Sequence, residues 1–184
     1  NVHIAWSDSR DGNNEIYYKR STDNGETWET DKRLTNNASV SEVPSITSLG
    51  TGVHIAWLDL RDGNSEIYYN RSTDGGTTWG ADIRLTEGPF VSQNPAIFSS
   101  GTILHLVWQY GISNLEILYK RSMDNGLSWV DSTQLSNSFS TARDAAISAY
   151  DVSTHVVWTD TRHGSTNHEI YYKRSTDGGT TWSL

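Results

Sequence analysis

An all-β chain of tandem units, each holding four short antiparallel strands, is predicted by three features of this 184-residue sequence. Trp6, Trp57, Trp108 and Trp158 step by 51, 51 and 50 residues, and Trp28, Trp79, Trp129 and Trp182 step by 51, 50 and 53; the two series use all eight tryptophans. Between them stand "EIYYKRS" (15–21), "EIYYNRS" (66–72), "EILYKRS" (116–122) and "EIYYKRS" (169–175). Finally, no stretch of helical length shows a 3.6-residue apolar period, while β-branched and aromatic runs alternate with Gly, Asn, Asp and Ser turns. Self-similarity at about 51 residues with four strands per unit is the pattern of β-propeller blades. The repeats run 1–52, 53–103, 104–153 and 154–184, the first and last incomplete, within a single domain or an arc of a larger propeller.

Each strand has its own signal. "PSIT" (44–47) predicts a short first strand, A, and "VHIAWLD" (53–59), rich in β-branched and aromatic residues, predicts B. Strand C is "EIYYNRST" (66–73), bulky on both faces as expected where a sheet packs against a neighbour on either side. Strand D falls within "DIRLT" (82–86). The first repeat lacks strand A and the last lacks D, so unpaired edges are expected there, and with them further blades or self-association.

The C–D connection carries "STDNGETW" (21–28), "STDGGTTW" (72–79), "SMDNGLSW" (122–129) and "STDGGTTW" (175–182). Gly25, Gly76, Gly126 and Gly179 supply the positive φ of a tight turn. Asp23, Asp74, Asp124 and Asp177 are placed to accept hydrogen bonds from the turn's own amides. Trp28, Trp79, Trp129 and Trp182 anchor the hairpin ends. A task repeated identically in every unit is structural, since a reaction has one centre. A calcium loop is excluded because it needs oxygen ligands at alternate positions and a closing bidentate Glu, which Asp23 lacks. His3, His54, His105 and His155 recur on strand B and read as packed, hydrogen-bonded core residues; a metal would need them within about 2.1 Å of one ion. No metal or cofactor is expected.

The four copies resemble the Asp-box, or bacterial neuraminidase repeat, of sialidases and related propellers. The resemblance covers essentially the whole chain, with Met123 and Leu127 as the departures in the third box. It implies that the boxes lie on the non-catalytic end, and that binding or chemistry belongs to the opposite end. There the B–C loops "DSRDGNNE" (8–15), "DLRDGNSE" (59–66), "QYGISNLE" (109–116) and "DTRHGSTNHE" (160–169) meet the D–A loops "TNNASVSEVP", "TEGPFVSQNP" and "SNSFSTARDA".

Those loops supply the candidate ligand-binding residues. Asp8 with Arg10, Asp59 with Arg61 and Asp160 with Arg162 form three Asp-x-Arg motifs. Sialidases clamp a sugar carboxylate with three arginines, a job suited to the guanidinium fork. These three occupy equivalent places in their repeats, however, which predicts a repeated ion-pair brace. The family's Arg-Ile-Pro motif is absent, and Tyr17, Tyr68 and Tyr171 recur as packing residues with no distinctive partner for a Tyr nucleophile. Departures from the repeat complete the set: Gln109, Tyr110 and Gly111 in place of Asp-x-Arg, Arg143 with Asp144 in a D–A loop, and a lengthened fourth loop containing His163 and His168. No catalytic residue is assigned.

The net charge of −8 argues against nucleic acid and anionic lipid partners, no apolar stretch is long enough to span a membrane, and the lack of cysteine removes disulfides and thiolate metal sites. The expectation is a non-catalytic secreted or cell-surface module, for binding or scaffolding, with a glycan or another extracellular protein as partner. A sialidase-like exo-glycosidase with degenerate or missing catalytic residues and a purely structural repeat are the alternatives.

Overall fold

A computed structural model describes residues 1–137 and 140–184. Ser138 and Phe139, in the predicted loop "SNSFSTARDA", lie outside the described residues. Four antiparallel sheets make up the chain, in two compact units, Asn1–Glu87 and Gly88–Leu184.

The first unit holds a three-stranded sheet, β1 (Val2–Asp8), β2 (Glu15–Ser21) and β3 (Lys32–Arg33), and a four-stranded one, β4 (Ser41–Leu49), β5 (Gly52–Asp59), β6 (Glu66–Ser72) and β7 (Ile83–Arg84). The second unit repeats the plan with β8 (Val91–Ser100), β9 (Ile103–Gly111), β10 (Glu116–Ser122) and β11 (Thr133–Gln134), then β12 (Ala142–Tyr150), β13 (Ser153–Asp160) and β14 (Glu169–Ser175). Neighbours in sequence are neighbours in each sheet, joined by hairpins. Strands B and C fall where their residue patterns place them. Strand D shrinks to two residues, because only Tyr68 and Tyr69 find partners in Arg84 and Ile83.

Strand A is longer than "PSIT", running from Ser41 to Leu49, and it bulges. The register slips between Glu42 and Ser45, between Gln93 and Ala96, and between Arg143 and Ala146. One residue at each slip takes positive φ: Val43 at 54°, Asn94 at 50° and Asp144 at 55°. Such extra residues bend a strand and re-aim its next side chains. A β-branched residue in this region is costly, so the surrounding ladder must impose the conformation on Val43. Arg143 and Asp144 therefore lie on β12 and not in a loop, which corrects the sequence expectation.

Packing between the sheets of each unit explains the bulky C strands. Ile16, Tyr18, Val53, Ile55, Trp57 and Tyr68 form the core of the first unit. Val107, Ile117, Tyr119, Leu135, Val156 and Trp158 form that of the second. Two of the box tryptophans pack on the tyrosine of the preceding sheet: Trp79 meets Tyr18 edge-on at 4.9 Å, and Trp182 meets Tyr119 at 4.8 Å. Arg20 crosses the same seam to donate to the Gly75 carbonyl at 2.7 Å and to Thr77 Oγ1 at 2.8 Å. Arg121 does likewise, to the Gly178 carbonyl and to Thr180 Oγ1 at 2.9 Å. The second and fourth boxes thus fasten sheet to sheet as well as closing their own hairpins.

Candidate functional site

The two ends of the sheets separate as the hairpin alternation requires. At one end the boxes sit against the A–B turns: Gly75 N donates to the Thr51 carbonyl, Asn125 N to Thr102 and Gly178 N to Val152, at 2.8 to 3.0 Å. At the other end Leu60 N donates to Val40 and Thr161 N to Thr141, tying B–C loops to the start of strand A.

Each box aspartate folds back on its own turn. Asp74 Oδ1 accepts from Ser72 Oγ at 2.7 Å and Thr78 N at 2.8 Å, and Oδ2 accepts from Thr78 Oγ1 at 2.6 Å. Ser72 Oγ in turn accepts from Gly76 N at 2.8 Å. Asp23, Asp124 and Asp177 repeat the arrangement. These bonds stabilise the anion. Donation from Ser21 and Thr27 brings the Asp23 carboxyl down to about 2, and donation from Ser128 and Ser122 does the same for Asp124. Carboxylates so satisfied have little left for a substrate or an ion, and no group of three or more His, Asp or Glu among the described residues is placed to hold a metal.

The loop end is organised by the Asp-x-Arg motifs. Asp59 is fully buried and accepts from Arg61 Nε at 2.8 Å, Arg61 Nη2 at 2.7 Å, the Trp57 indole at 2.9 Å and Ser41 Oγ at 2.9 Å. Arg61 also reaches Asp82 at 3.0 Å and lies 4.3 Å above the Tyr68 ring. Burial works to raise the Asp59 carboxyl, but the bonds from Arg61, Trp57 and Ser41 outweigh it and hold the group below its ordinary range. In the first sheet Asp8 takes Arg10 and the Trp6 indole, and Arg10 reaches Asp31 at 2.8 Å. In the fourth, Asp160 accepts from Arg162 at 2.6 Å and Trp158 at 3.2 Å, with Arg162 3.8 Å above Tyr171. All three guanidiniums are engaged by carboxylates of their own sheets. Asp59→Ala leaves the Trp57 N–H and half of the Arg61 fork without acceptors, while Arg61 keeps Asp82 and some water. A loss of about 2 kcal/mol in urea unfolding is expected, with Arg61→Ala costing at least as much because it leaves the fully buried Asp59 carboxylate without its counter-ion.

A second buried acid escaped sequence reasoning. Glu15 and Glu66 are fully buried, and each accepts from an arginine of strand D, Arg33 and Arg84, at 2.9 Å, and from a threonine, Thr35 and Thr86. Their signal was the acid that opens each "EIYY" and the one "EILY", a charge fixed at a strand start in four copies. Tyr17 and Tyr68 donate to Asp11 and Asp62, the residues after the motif arginines. In the fourth sheet His163 stands at that position; its Nδ1 lies 2.7 Å from Glu169, and the Tyr171 hydroxyl is 3.3 Å from the same carboxylate. His168 is exposed.

The third sheet departs most. Asp59 pairs with Glu66 across its sheet, and the residue paired with Glu116 is Tyr110. Tyr110, Gly111 and Ile112 therefore occupy the Asp-x-Arg positions, which corrects the sequence alignment of Gln109, Tyr110 and Gly111 by one residue. Gln109 is instead buried, near Gln93 at 3.5 Å and Asp144 at 3.4 Å. Arg143 keeps its Nε buried without a hydrogen-bond partner. With Tyr110 replacing the carboxylate, the buried Trp108 indole N–H has no acceptor. A cavity of about 450 Å³ opens beside Tyr110, bordered also by Phe90, Ile112, Asn114, Glu116 and Gln134.

The BNR repeat-like domain family matches residues 49–184, and the BNR/Asp-box repeat matches residues 19–30. No curated protein sequence matches the chain. Among solved structures, the NanB sialidase from Streptococcus pneumoniae is 12% identical with a TM-score of 0.68, over 98% of this chain and 48% of that one. A Trypanosoma rangeli sialidase mutant displaying trans-sialidase activity is 15% identical with a TM-score of 0.68, over 98% and 35%. A polysaccharide lyase of family PL25, an ulvan lyase, is 16% identical with a TM-score of 0.64, over 92% and 49%. The chain spans between about a third and a half of the length of these proteins, and shares their fold at low identity. By its boxes, its sheets and the match over residues 49–184, the chain belongs to the BNR repeat-like domain family.

Proposed function

We propose that this chain is a non-catalytic binding and scaffold module, extracellular or on the cell surface, that takes a glycan on the end carrying its B–C loops, and that its four sheets are blades of a β-propeller. One observation carries the reading: Arg10, Arg61 and Arg162 are each engaged by carboxylates of their own sheet and stacked on its tyrosine. A clamp for a sugar carboxylate needs guanidinium donors to spare, and a nucleophile needs an activating partner. Here the arginines brace loops. Tyr17 and Tyr68 donate to aspartates, and the acceptors raise both phenols, with burial also acting on each and leading for Tyr68, which reaches about 12. Phenols so held are poor nucleophiles at neutral pH.

A sialidase-like exo-glycosidase is the second reading, favoured by the fold shared with sialidases of which this chain covers a third to a half. A glycan array run beside a fluorogenic sialoside assay separates the two. Saturable binding without turnover is the expected result. Turnover that survives purification establishes the enzyme, and silence in both assays leaves a structural repeat.

A further inference from the structure

We infer that the cavity of the third sheet is a binding site for a neutral sugar ring, and that it excludes acidic sugars. This rests on the glycan-binding reading and names the place and the chemistry. The cavity arises from a set of coordinated replacements. Where the second sheet fills its loop corner with Asp59, Arg61, Tyr68, Glu66 and Arg84, the register of the third sheet puts Tyr110, Ile112, Leu118, Glu116 and Gln134. Two cations and one carboxylate are gone, one acid stays, and the B–C loop is a residue shorter. The volume of about 450 Å³ is that of a small-ligand site.

Its walls suit a saccharide. Phe90 and Tyr110 meet edge-to-face at 5.6 Å and form an apolar corner for the C–H face of a pyranose. Phe90 is 44% exposed and Ile112 71%, so both present apolar surface beside a polar floor. The Tyr110 hydroxyl lies so close over Gly88 that a β-carbon there would be 3.0 Å away, so the backbone helps set the ring's position. The floor is Glu116, half-buried, with Oε2 accepting from Ser136 Oγ, which itself accepts from Ile117 N at 2.8 Å. Asn114 and Gln134 add amides that both donate and accept. Gln134 Nε2 already donates to the Ser136 carbonyl at 2.8 Å, and hydroxyls of a sugar can bond to the oxygens of all three side chains beside the partners they hold.

The sign of the charge selects the class. Of the described residues bordering the cavity only Glu116 is charged and none is Lys, Arg or His; the Arg162 guanidinium of the fourth sheet is near enough to attract Glu116 but is already taken up by Asp160 at 2.6 Å. A carboxylated or sulfated ring would bring a second anion beside Glu116 with no cation in the lining to receive it. A neutral ring meets no such penalty.

Titrations of the full chain by calorimetry and saturation-transfer NMR, with lactose, maltotriose and cellotriose against 3′-sialyllactose, test this together with Phe90→Ala. Neutral sugars are expected to bind saturably and more tightly than the sialylated one, and Phe90→Ala to weaken them at least tenfold. Far-UV circular dichroism checks the fold of the variant, and Ile112→Ser, at a still more exposed position, gives a second loss at the same wall. Neutral binding unchanged by both substitutions overturns the site but leaves the module reading standing. Tighter binding of 3′-sialyllactose through Phe90 overturns the choice of a neutral ring. Failure of every sugar to bind removes the module reading, and the site with it.

Discussion

Gly76→Ala and Gly179→Ala are expected to destabilise their units by about 4 kcal/mol each, and Gly25→Ala by about 1 kcal/mol. All three glycines hold the same turn, at φ +87°, +84° and +96°, so each alanine bears a similar backbone strain. The difference lies in what the new methyl meets. At Gly76 it would stand 1.8 Å from the Tyr18 hydroxyl, and at Gly179 1.9 Å from that of Tyr119; at Gly25 nothing lies nearer than Trp28, at 4.0 Å. Tyr18 and Tyr119 are almost fully buried and cannot swing aside. Their hydroxyls also hold His3 and His105 at 2.6 and 2.8 Å, so displacement breaks a buried hydrogen bond as well as an aromatic contact. Urea unfolding of the three variants measures the contrast directly. Equal losses at Gly25 and Gly76 would mean that the box acts only within its hairpin and does not fasten one sheet to the next.

That fastening marks where sequence reading stopped. Strands B and C, the boxes and the division of loops between two ends were legible, because the tryptophans and "EIYY" repeat at fixed spacing and hairpins must alternate. The equivalence of Arg10, Arg61 and Arg162 pointed to a brace. Its first partners, the motif aspartates, were legible too, but the second were not, since Asp31 and Asp82 come from a different loop and meet Arg10 and Arg61 only once strand D has folded back. Nothing in a repeat alignment shows that Trp79 serves the tyrosine of the preceding sheet. The third loop misled because both motif residues are replaced there; yet Asp8, Asp59 and Asp160 each stand two residues after their strand B tryptophan, a count that puts Tyr110 in the aspartate's place, as the pairing with Glu116 does. Val43 at positive φ runs against its own propensity, and tertiary context alone places it there.

Between pH 6.5 and 4 the chain should lose about 3 kcal/mol of stability in each unit, through His54 in the first and His105 in the second. Both are almost fully buried on strand B, with Nδ1 against Tyr69 at 2.7 Å and Tyr119 at 2.8 Å. Burial, seconded by the nearby Arg71 and Arg121, brings each imidazole from 6.5 down to about 4. The unfolded chain therefore binds a proton at each site once the pH falls below 6.5, while the folded chain resists until about 4. Stability is full above 6.5, declines across that window and levels off below it, where both states are protonated. His3, lowered by burial with the nearby Arg20 acting the same way, adds in the same direction. The box aspartates act elsewhere: with Asp23 and Asp124 near 2 in the folded state, their contribution is intact above pH 4 and is lost only on further acidification. Urea midpoints at pH 7.5 and 4.5 should thus differ strongly in the native chain and little in a His54→Gln, His105→Gln double variant, whose amides carry no charge at either pH. An undiminished pH response in the double variant would assign the acid sensitivity to carboxylates and remove these histidines from the account.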